Sequence, residues 1–433
     1  MKKIGFFLNN TELGYLDFSN IEYGNPGIGG SEYMIVLMAH LLNKRQNNIY
    51  SIILATHDST FPKGLDVKKV KNLHDAINIA EKEKLDYLTF KHLTQYIREG
   101  VIYNTSIKLI PWCHNFVSFK DLKFYAKHPS IYRILNVSRE QMDMYLDHIA
   151  YNKSTYIYNS IDINCIERYN VTNFPFKKRN HIVTYIGSII PVKGLHWIAE
   201  VWKDITEKVP DAELYIIGSG KLYFRNATMG HFGIAERNYE NYIMKYLAPN
   251  GKILPSVHFM GIMGEEKNQI LLKTKVGIPN PSGISETFGI SAVEMQLMGA
   301  KIATIQCPGY LDTVFNGELY KSKKDLTKTI ISLLLSDNSN YNSAIENIKN
   351  RFSHEKIAEK WEIFLSSETK ETKHEYVNLN FRHKWLKIKL RKIKEQNPIL
   401  YHIVPAYEQI ALFINKIRKK FRNIFISSTY NSY

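Results

Sequence analysis

Short apolar runs alternate with helical spacings from residue 4 to residue 158, lapse over 166–180, and begin again at 181. This restart narrows the possible folds more than any other feature. Runs at 4–8, 50–55, 86–90, 107–112, 131–137 and 155–158 have the length of buried strands, and 31–45, 73–81, 91–98 and 138–148 carry helical periodicity between them. The last opens with Ser138-Arg139-Glu140-Gln141, a capping-box pattern. The second series has strand-like runs at 181–186, 213–217, 257–260, 275–279 and 301–305, with helical stretches at 194–208, 265–273 and 289–298. Strands alternating with helices make βαβ units and parallel sheets. The chain therefore reads as α/β with two doubly wound halves, and 433 residues ask for more than one core. Ligands of such sheets bind outside the carboxyl ends of the strands, so a cleft between facing halves is the natural site.

The stretch 279–304, PNPSGISETFGISAVEMQLMGAKIAT, reads as a strand end, a Gly/Ser turn, a helix, a glycine stop and a second strand. Glu286 sits at the mouth of the helix and Glu294 inside it, eight positions on. Eight helical residues rise about 12 Å, comparable with the span from a hexose across a pyrophosphate to a ribose. Carboxylates accept charge-assisted hydrogen bonds from vicinal hydroxyls, and the amides of Phe288 and Gly289 are placed to face phosphates between them. Ile290, Val293 and Leu297 follow core spacing, while Ser291, Glu294 and Met298 share another face. Gly299 fits a helix stop. Two acids on a helix also fit a solvated face, but apolar and Gly-rich flanks make exposure the poorer explanation.

Three further stretches lie where strands hand over to helices. Asn25-Pro26-Gly27-Ile28-Gly29-Gly30-Ser31-Glu32 opens an apolar helix, and Gly29 and Gly30 let backbone approach a ligand. It is neither a Walker loop nor a GxGxxG fingerprint, and by itself a Gly-rich turn is usually just a turn. Pro111-Trp112-Cys113-His114-Asn115 follows a strand, so His114 faces either a ligand or its own loop. Cys113 has no identifiable base and orienting group to make it a nucleophile. Lys193, in Tyr185-Ile186-Gly187-Ser188-Ile189-Ile190-Pro191-Val192-Lys193-Gly194, stands near a helix start, which favours anions by roughly 0.3–1 kcal/mol. A solvated surface lysine fits the same position.

Taken together, these residues resemble the family 4 glycosyltransferases of the GT-B fold. The resemblance is carried by SETFGISAVE, YIGSIIPVKG, PDAELYIIGSG and VHFMGIMG in the second half, and by GIGGSE, WCHN and YNSID in the first, over roughly residues 1–365. It implies two facing Rossmann-like domains: 1–165 on the acceptor side, a linker at 166–180, a nucleotide-sugar-binding domain at 181–352, and a helix at 353–375 crossing back to the first domain. By resemblance, Glu286 contacts the donor sugar, Glu294 the ribose, Lys193 the diphosphate with the amides of Thr287, Phe288 and Gly289, and His114 the donor sugar. Gly29 and Gly30 lie close to the diphosphate, and Gly261 and Ile262 edge the base. Such enzymes retain anomeric configuration, use the nucleotide-sugar as co-substrate, and require neither metal nor other cofactor. Ser188, counted with the donor-binding residues, stands where the family often has arginine, so one cation toward the leaving diphosphate is missing. Lys221 and Arg225 of the long Tyr-rich insert 220–255, which also holds Tyr223, are candidate replacements. A non-catalytic scaffolding subunit of the same fold, or another GT-B enzyme such as an epimerase, remains the alternative.

The formal charge is +16, and residues 381–433 hold twelve Lys/Arg against Glu395 and Glu408, so +10 of it lies in this tail. From 376 on, the expectation is a C-terminal basic helical extension. Tyr407, Ile410, Ala411, Ile414, Ile417, Phe421, Ile424 and Phe425 fall at helical spacing, with Lys416, Lys419, Lys420 and Arg422 on other faces. An amphipathic helix lying on anionic lipid is the expectation; packing on the protein itself is the alternative. No nucleic-acid module accompanies the cations, so nucleic acid is not an expected partner. Three distant cysteines form no disulfide or metal pattern, and the apolar run 4–8 is too short for a signal sequence. No run of about 18 apolar residues exists. The expected place is the cytoplasm, at the inner face of the membrane, with a glycan or lipid-linked acceptor.

Overall fold

The computed structural model describes residues 1–45, 47–222, 226–366 and 376–430, with side chains as far as Arg418. Seven strands form the first sheet: β1 (Lys2–Leu8), β2 (Ile49–Ala55), β3 (Asp66–Lys69), β4 (Tyr87–Lys91), β5 (Lys108–Cys113), β6 (Ile134–Asn136) and β7 (Ser154–Tyr156). Their order is β3-β2-β1-β4-β5-β6-β7, with every pair parallel. The second sheet holds β8 (Ile182–Ile186), β9 (Glu213–Ile217), β10 (Val257–Gly261), β11 (Val276–Ile278), β12 (Lys301–Ile305) and β13 (Gly317–Tyr320). It runs β10-β9-β8-β11-β12-β13, again all parallel. Each order reverses beside its first strand, and at such switch points a crevice opens at the carboxyl ends.

Every strand-like run of the sequence is a strand, with ends displaced by a few residues. The edge strands β3 and β13 were not expected. Three of the four residues of β3 are exposed, so an edge strand of this kind leaves no apolar run to read. Helices Phe119–Lys127, Arg237–Leu247 and Pro308–Thr313 were also not expected. Two helical expectations need correction. Lys91 belongs to β4, and the helix after it covers only Thr94–Arg98. The stretch 138–148 is one helical turn, Arg139–Met142, that tightens into a 3-10 turn at Asp143–Tyr145. Ser138 caps it by accepting from the Gln141 amide at 3.2 Å, but the Gln141 side chain accepts from Val137 N at 2.9 Å, closing the box one residue early.

The two halves share one apolar cluster. Phe288 of the second stacks edge-on against Phe352 at 5.2 Å and lies 6.1 Å from Tyr158 of the first. Helix His354–Ser366 lies on the first sheet, its Trp361 ring 5.6 Å from Phe6 and 5.0 Å from Trp112. Arg45 binds Glu362 at 2.7 Å, and the Tyr87 hydroxyl donates to Leu365 O at 3.1 Å. Residues 367–375, the rest of the expected crossing segment, lie outside the described residues.

The tail forms helices Lys384–Gln396, Leu400–Ile403 and Tyr407–Tyr430. Its cations do not all face outward. Lys384 is 2% exposed, and its ammonium binds both Glu140 oxygens at 2.7 Å and Asp143 at 2.8 Å. Lys387 pairs with Glu408 at 2.7 Å and Lys394 with Asp147 at 3.1 Å, all of them buried. Arg391 lies 4.2 Å over the Tyr151 ring. The first tail helix is thus bolted to the 139–152 segment of the first domain by Lys384 and Lys394, while Lys387 ties it to Glu408 of the last helix, so three of the twelve cations are spent on buried pairs.

Removing one partner of a buried ion pair strands the other in a medium that cannot solvate it. Lys384→Met is expected to destabilise the protein by about 3–5 kcal/mol in denaturant unfolding, because two carboxylates lose their cation. Lys389→Met, on the same helix, is expected to stay within roughly 0.5 kcal/mol.

Candidate active site

The second sheet delivers its functional residues at β8 and β11, the strands flanking its switch point. After β8 the chain passes through Gly187 and Ser188 into the short turn Pro191–Lys193. Gly194 then turns left-handed at φ +74, where a Cβ would lie 2.9 Å from Ser282 N. This glycine lets the two loops touch, and the Lys193 ammonium meets Glu286 Oε2 at 3.0 Å. Asn280, just past β11, donates to the same Glu286 oxygen at 3.1 Å and to Ile284 O at 3.0 Å. Ser282 Oγ donates to Val192 O at 2.7 Å, closing the junction between the loops.

Helix Ile290–Leu297 starts at Gly289, whose φ is +77 and whose Cβ would come within 2.4 Å of the Tyr310 ring. Its far end is a Schellman stop: Gly299 N donates to Gln296 O at 2.9 Å and Ala300 N to Met295 O at 3.0 Å. The loop before the helix is held from the first domain. Thr287 Oγ1 donates to His114 O at 2.6 Å, and Ser138 Oγ donates to Thr287 O at 2.5 Å. From the opposite side, the glycine loop 25–30 closes in. Asn25 shapes it by accepting from Gly27 N and Ile28 N at 2.9 and 2.8 Å. A Cβ on Gly27 would stand 2.6 Å from the Ile262 side chain, and one on Gly30 would stand 3.9 Å from Ile290.

These segments enclose a cavity of about 200 Å³ between the domains. Of the residues singled out in the sequence, Gly30, His114, Ser188, Lys193, Ile262, Glu286, Thr287, Phe288, Gly289 and Glu294 all line it. Gly29 and Gly261 do not: they precede Gly30 and Ile262 and place them. The Ser188 hydroxyl turns away, donating to Ser219 O at 3.3 Å. In the insert, helix Arg237–Leu247 packs on helix Leu195–Lys208, with Tyr242 OH donating to Glu200 at 2.8 Å. Leu222 reaches the cavity but Lys221 is exposed and outside its lining. Tyr223 and Arg225 lie outside the described residues.

The sequence reading missed Lys267. It is buried at the opposite end of the cavity from Lys193, with Nζ 3.2 Å from Glu294 Oε1 and 3.3 Å from Gly264 O. Each cavity carboxylate therefore has its own lysine, so an anion entering the cleft does not meet two bare negative charges. The available signal was a lysine at a position of helix Lys267–Lys273 that shares a buried face with Leu271.

His114 is buried beside Trp112, ring centroids 4.5 Å apart, and its Nε2 has no hydrogen-bond partner. Burial, and then nearby Lys91, push its pKa down to about 3, so the ring is neutral at pH 7. It stands ready for a polar ligand group. Among the described residues no group of three His, Cys, Asp or Glu side chains is placed to hold a metal ion.

Comparisons with known proteins bear on the fold. The family model described as glycosyl transferases group 1 matches residues 170–351. An uncharacterized glycosyltransferase of Haemophilus influenzae is 23% identical over 246 residues, covering 51% of this chain and 63% of that protein. The chain thus spans less than two thirds of that relative. The crystal structure of Anabaena HepE in complex with UDP and glucose superposes with a TM-score of 0.58 at 16% identity, over 84% of this chain and 100% of that one. A glycosyltransferase from Rickettsia africae gives 0.60 at 16% identity, over 84% and 97%. The fold is GT-B, two facing Rossmann-like domains, here with a helical C-terminal extension.

Two outcomes follow from the buried groups. Lys267→Met is expected to cost about 3 kcal/mol in denaturant unfolding, and Lys267→Met/Glu294→Gln to recover most of it, since the stranded charge is gone. The unfolded chain binds a proton at His114 below its ordinary value of 6.5, whereas the folded protein refuses it down to about 3. The stability contributed by neutral His114 is complete above 6.5 and drains as pH falls through that window. His114→Asn is expected to flatten the stability-against-pH slope by roughly one proton.

Proposed function

We propose that this protein is a glycosyltransferase of family 4. It would move a sugar, most simply a hexose, from a nucleoside-diphosphate sugar to a glycan or lipid-linked acceptor with retention of configuration, in assembly of a cell-surface polysaccharide or glycolipid. The observation that carries the reading is the pair of lysine-matched carboxylates, Glu286 with Lys193 and Glu294 with Lys267, at the two ends of one loop-and-helix in the interdomain cavity. A relative of the same fold holds UDP and glucose, the two parts of such a donor.

In this reading Glu294 accepts hydrogen bonds from the ribose, and Lys267 keeps it aimed. Glu286 accepts from hydroxyls of the transferred sugar. Lys193, between Glu286 and the diphosphate, stabilises the charge that develops on the leaving phosphate, assisted by the amides of the 287–289 turn and the helix start. Preorganised charge of this kind, in a cavity shielded from water, typically contributes a factor of about 10²–10³ per donor. The acceptor hydroxyl attacks the anomeric carbon on the face that the diphosphate leaves, and the departing phosphate takes its proton. Neutral His114, with its free Nε2, contacts the sugar. No metal or other cofactor enters this scheme.

Ser188 leaves Lys193 as the principal cation on the diphosphate, because its hydroxyl is engaged with Ser219 O. This observation favours the second reading, a scaffold that binds no donor. A panel of UDP-, GDP- and dTDP-sugars separates the two: at least one should raise the melting temperature and turn over, and a flat response to all of them leaves the scaffold. Glu286→Ala and Lys193→Met are each expected to lower transfer by about 10²-fold or more; a Glu286→Ala protein that keeps most of its rate defeats the role given to it.

We also place the protein at an anionic membrane surface. No helix among the described residues is long and apolar enough to cross a membrane. The last helix instead exposes Ile410, Leu412, Phe413, Ile414 and Ile417 beside Lys416 and Arg418. An amphipathic helix of this composition lies in the interface plane, and each cation there is worth about 1 kcal/mol. Phe413→Ser/Ile417→Ser is expected to release the protein from phosphatidylglycerol vesicles in flotation, and unchanged flotation counts against the membrane reading.

A further inference from the structure

A second cavity, of about 330 Å³, lies where the tail meets the first domain, and it shares no lining residue with the interdomain cleft. One wall is the start of helix Phe119–Lys127, contributing Phe119, Lys120 and Lys123. The floor is Asp147 and His148. The other wall is the tail turn 401–406, with Lys394 behind it.

Its polar groups are unequally satisfied. Lys394 neutralises Asp147 through Oδ2, and Tyr407 N donates to the same oxygen at 2.9 Å. Asp147 Oδ1 is buried with no hydrogen-bond partner. His148, 7% exposed, accepts from Ala150 N through Nδ1 at 3.2 Å. Neutral imidazole then carries its proton on Nε2, as an available donor. Lys120 and Lys123, three positions apart on one helix face, have no ion pair among the described residues. The cavity therefore offers two uncompensated cations and an N–H to an anion, and beside them a buried carboxylate oxygen that lacks a donor. A bare anion satisfies the first set and is repelled by the second. A ligand with an anionic group and a neighbouring hydroxyl satisfies both. Ile403, 69% exposed, stands on the rim.

We propose that this cavity binds a phosphate ester with an adjacent hydroxyl, the chemistry of a glycerophospholipid headgroup or of a soluble polyol phosphate. Phosphoryl oxygens accept from Lys120, Lys123 and His148 Nε2, and the hydroxyl donates to Asp147 Oδ1. The site does not rest on the glycosyltransferase reading, since its residues lie outside the cleft.

The test is calorimetric titration of the full-length protein with sn-glycerol 3-phosphate and, separately, with inorganic phosphate. One-to-one saturable binding of the glycerol ester is expected, with inorganic phosphate weaker because it brings no hydroxyl carbon chain to Asp147. Lys120→Met/Lys123→Met is expected to weaken binding about tenfold or more, while Lys63→Met, at an exposed position outside both cavities, leaves it unchanged. Both cavity lysines are exposed, so an unaltered unfolding transition should accompany the double change. Absence of saturable binding, or equal binding by the double variant, overturns the proposal. Vesicles then separate the sources. If glycerol 3-phosphate displaces the protein from phosphatidylglycerol vesicles and the double variant binds them less, the ligand is a lipid headgroup. If the ester binds without affecting vesicle association, it is a soluble phosphate ester. Nucleotide binding in the cleft should be the same in both proteins, which keeps a failure here distinct from a failure of the donor site.

Discussion

The structure depends on one short segment being held from two sides. Thr287 donates to the His114 carbonyl and accepts from Ser138, so the loop between Glu286 and Gly289 is fixed by the first domain although it belongs to the second. A few residues away, Asp312 repeats the arrangement, accepting from Glu140 N at 2.8 Å and meeting Tyr158 OH at 3.2 Å and Arg139 at 3.3 Å. Burial raises the Asp312 carboxyl to about 6 despite these donors. Hydrogen bonds of this kind carry modest net energy each, but they are directional. They decide where Glu286 stands relative to His114, and a reaction at one carbon needs that relation fixed to within fractions of an ångström.

The same logic runs through the cavity. Two carboxylates in a cleft would repel the anionic donor proposed for it if they were bare. Lys193 and Lys267 cancel them locally, at 3.0 and 3.2 Å, while leaving oxygen lone pairs for hydroxyls. The glycines act at a different level. Gly194 and Gly289 are needed where the backbone is left-handed and a neighbour sits in the space of a Cβ.

Much of this was legible in the sequence, and the limits have a physical pattern. Parallel strands buried on both faces leave continuous apolar runs, so β1, β2, β4 and β5 could be read directly. The edge strand β3 and the half-buried helix Phe119–Lys127 leave none. The site was legible because its residues sit in local motifs at strand ends: Glu286 lies in the loop that leads into the helix carrying Glu294, and His114 follows one strand. Lys267 escaped because its partner Glu294 is brought to it by the sheet and not by the chain. The tail was read half correctly. Its periodicity shows helix, but nothing local shows that Lys384 meets Glu140, 244 residues away in sequence. A count of cations treats all twelve as free for a surface, and burial removes three of them.

Two of those lysines, Lys384 and Lys394, also fix where the protein can be cut. The family match ends at residue 351, and a boundary drawn near there or after helix His354–Ser366 looks reasonable by homology. Such a truncation would leave Glu140, Asp143 and Asp147, all at most 1% exposed, packed beneath a vanished helix without a counterion. Glu140 and its neighbour Arg139 also touch Asp312, so the damage would begin where the two domains meet. Loss of function on shortening would then say nothing about lipid. The extension is better regarded as part of the first domain than as an appendage to the second.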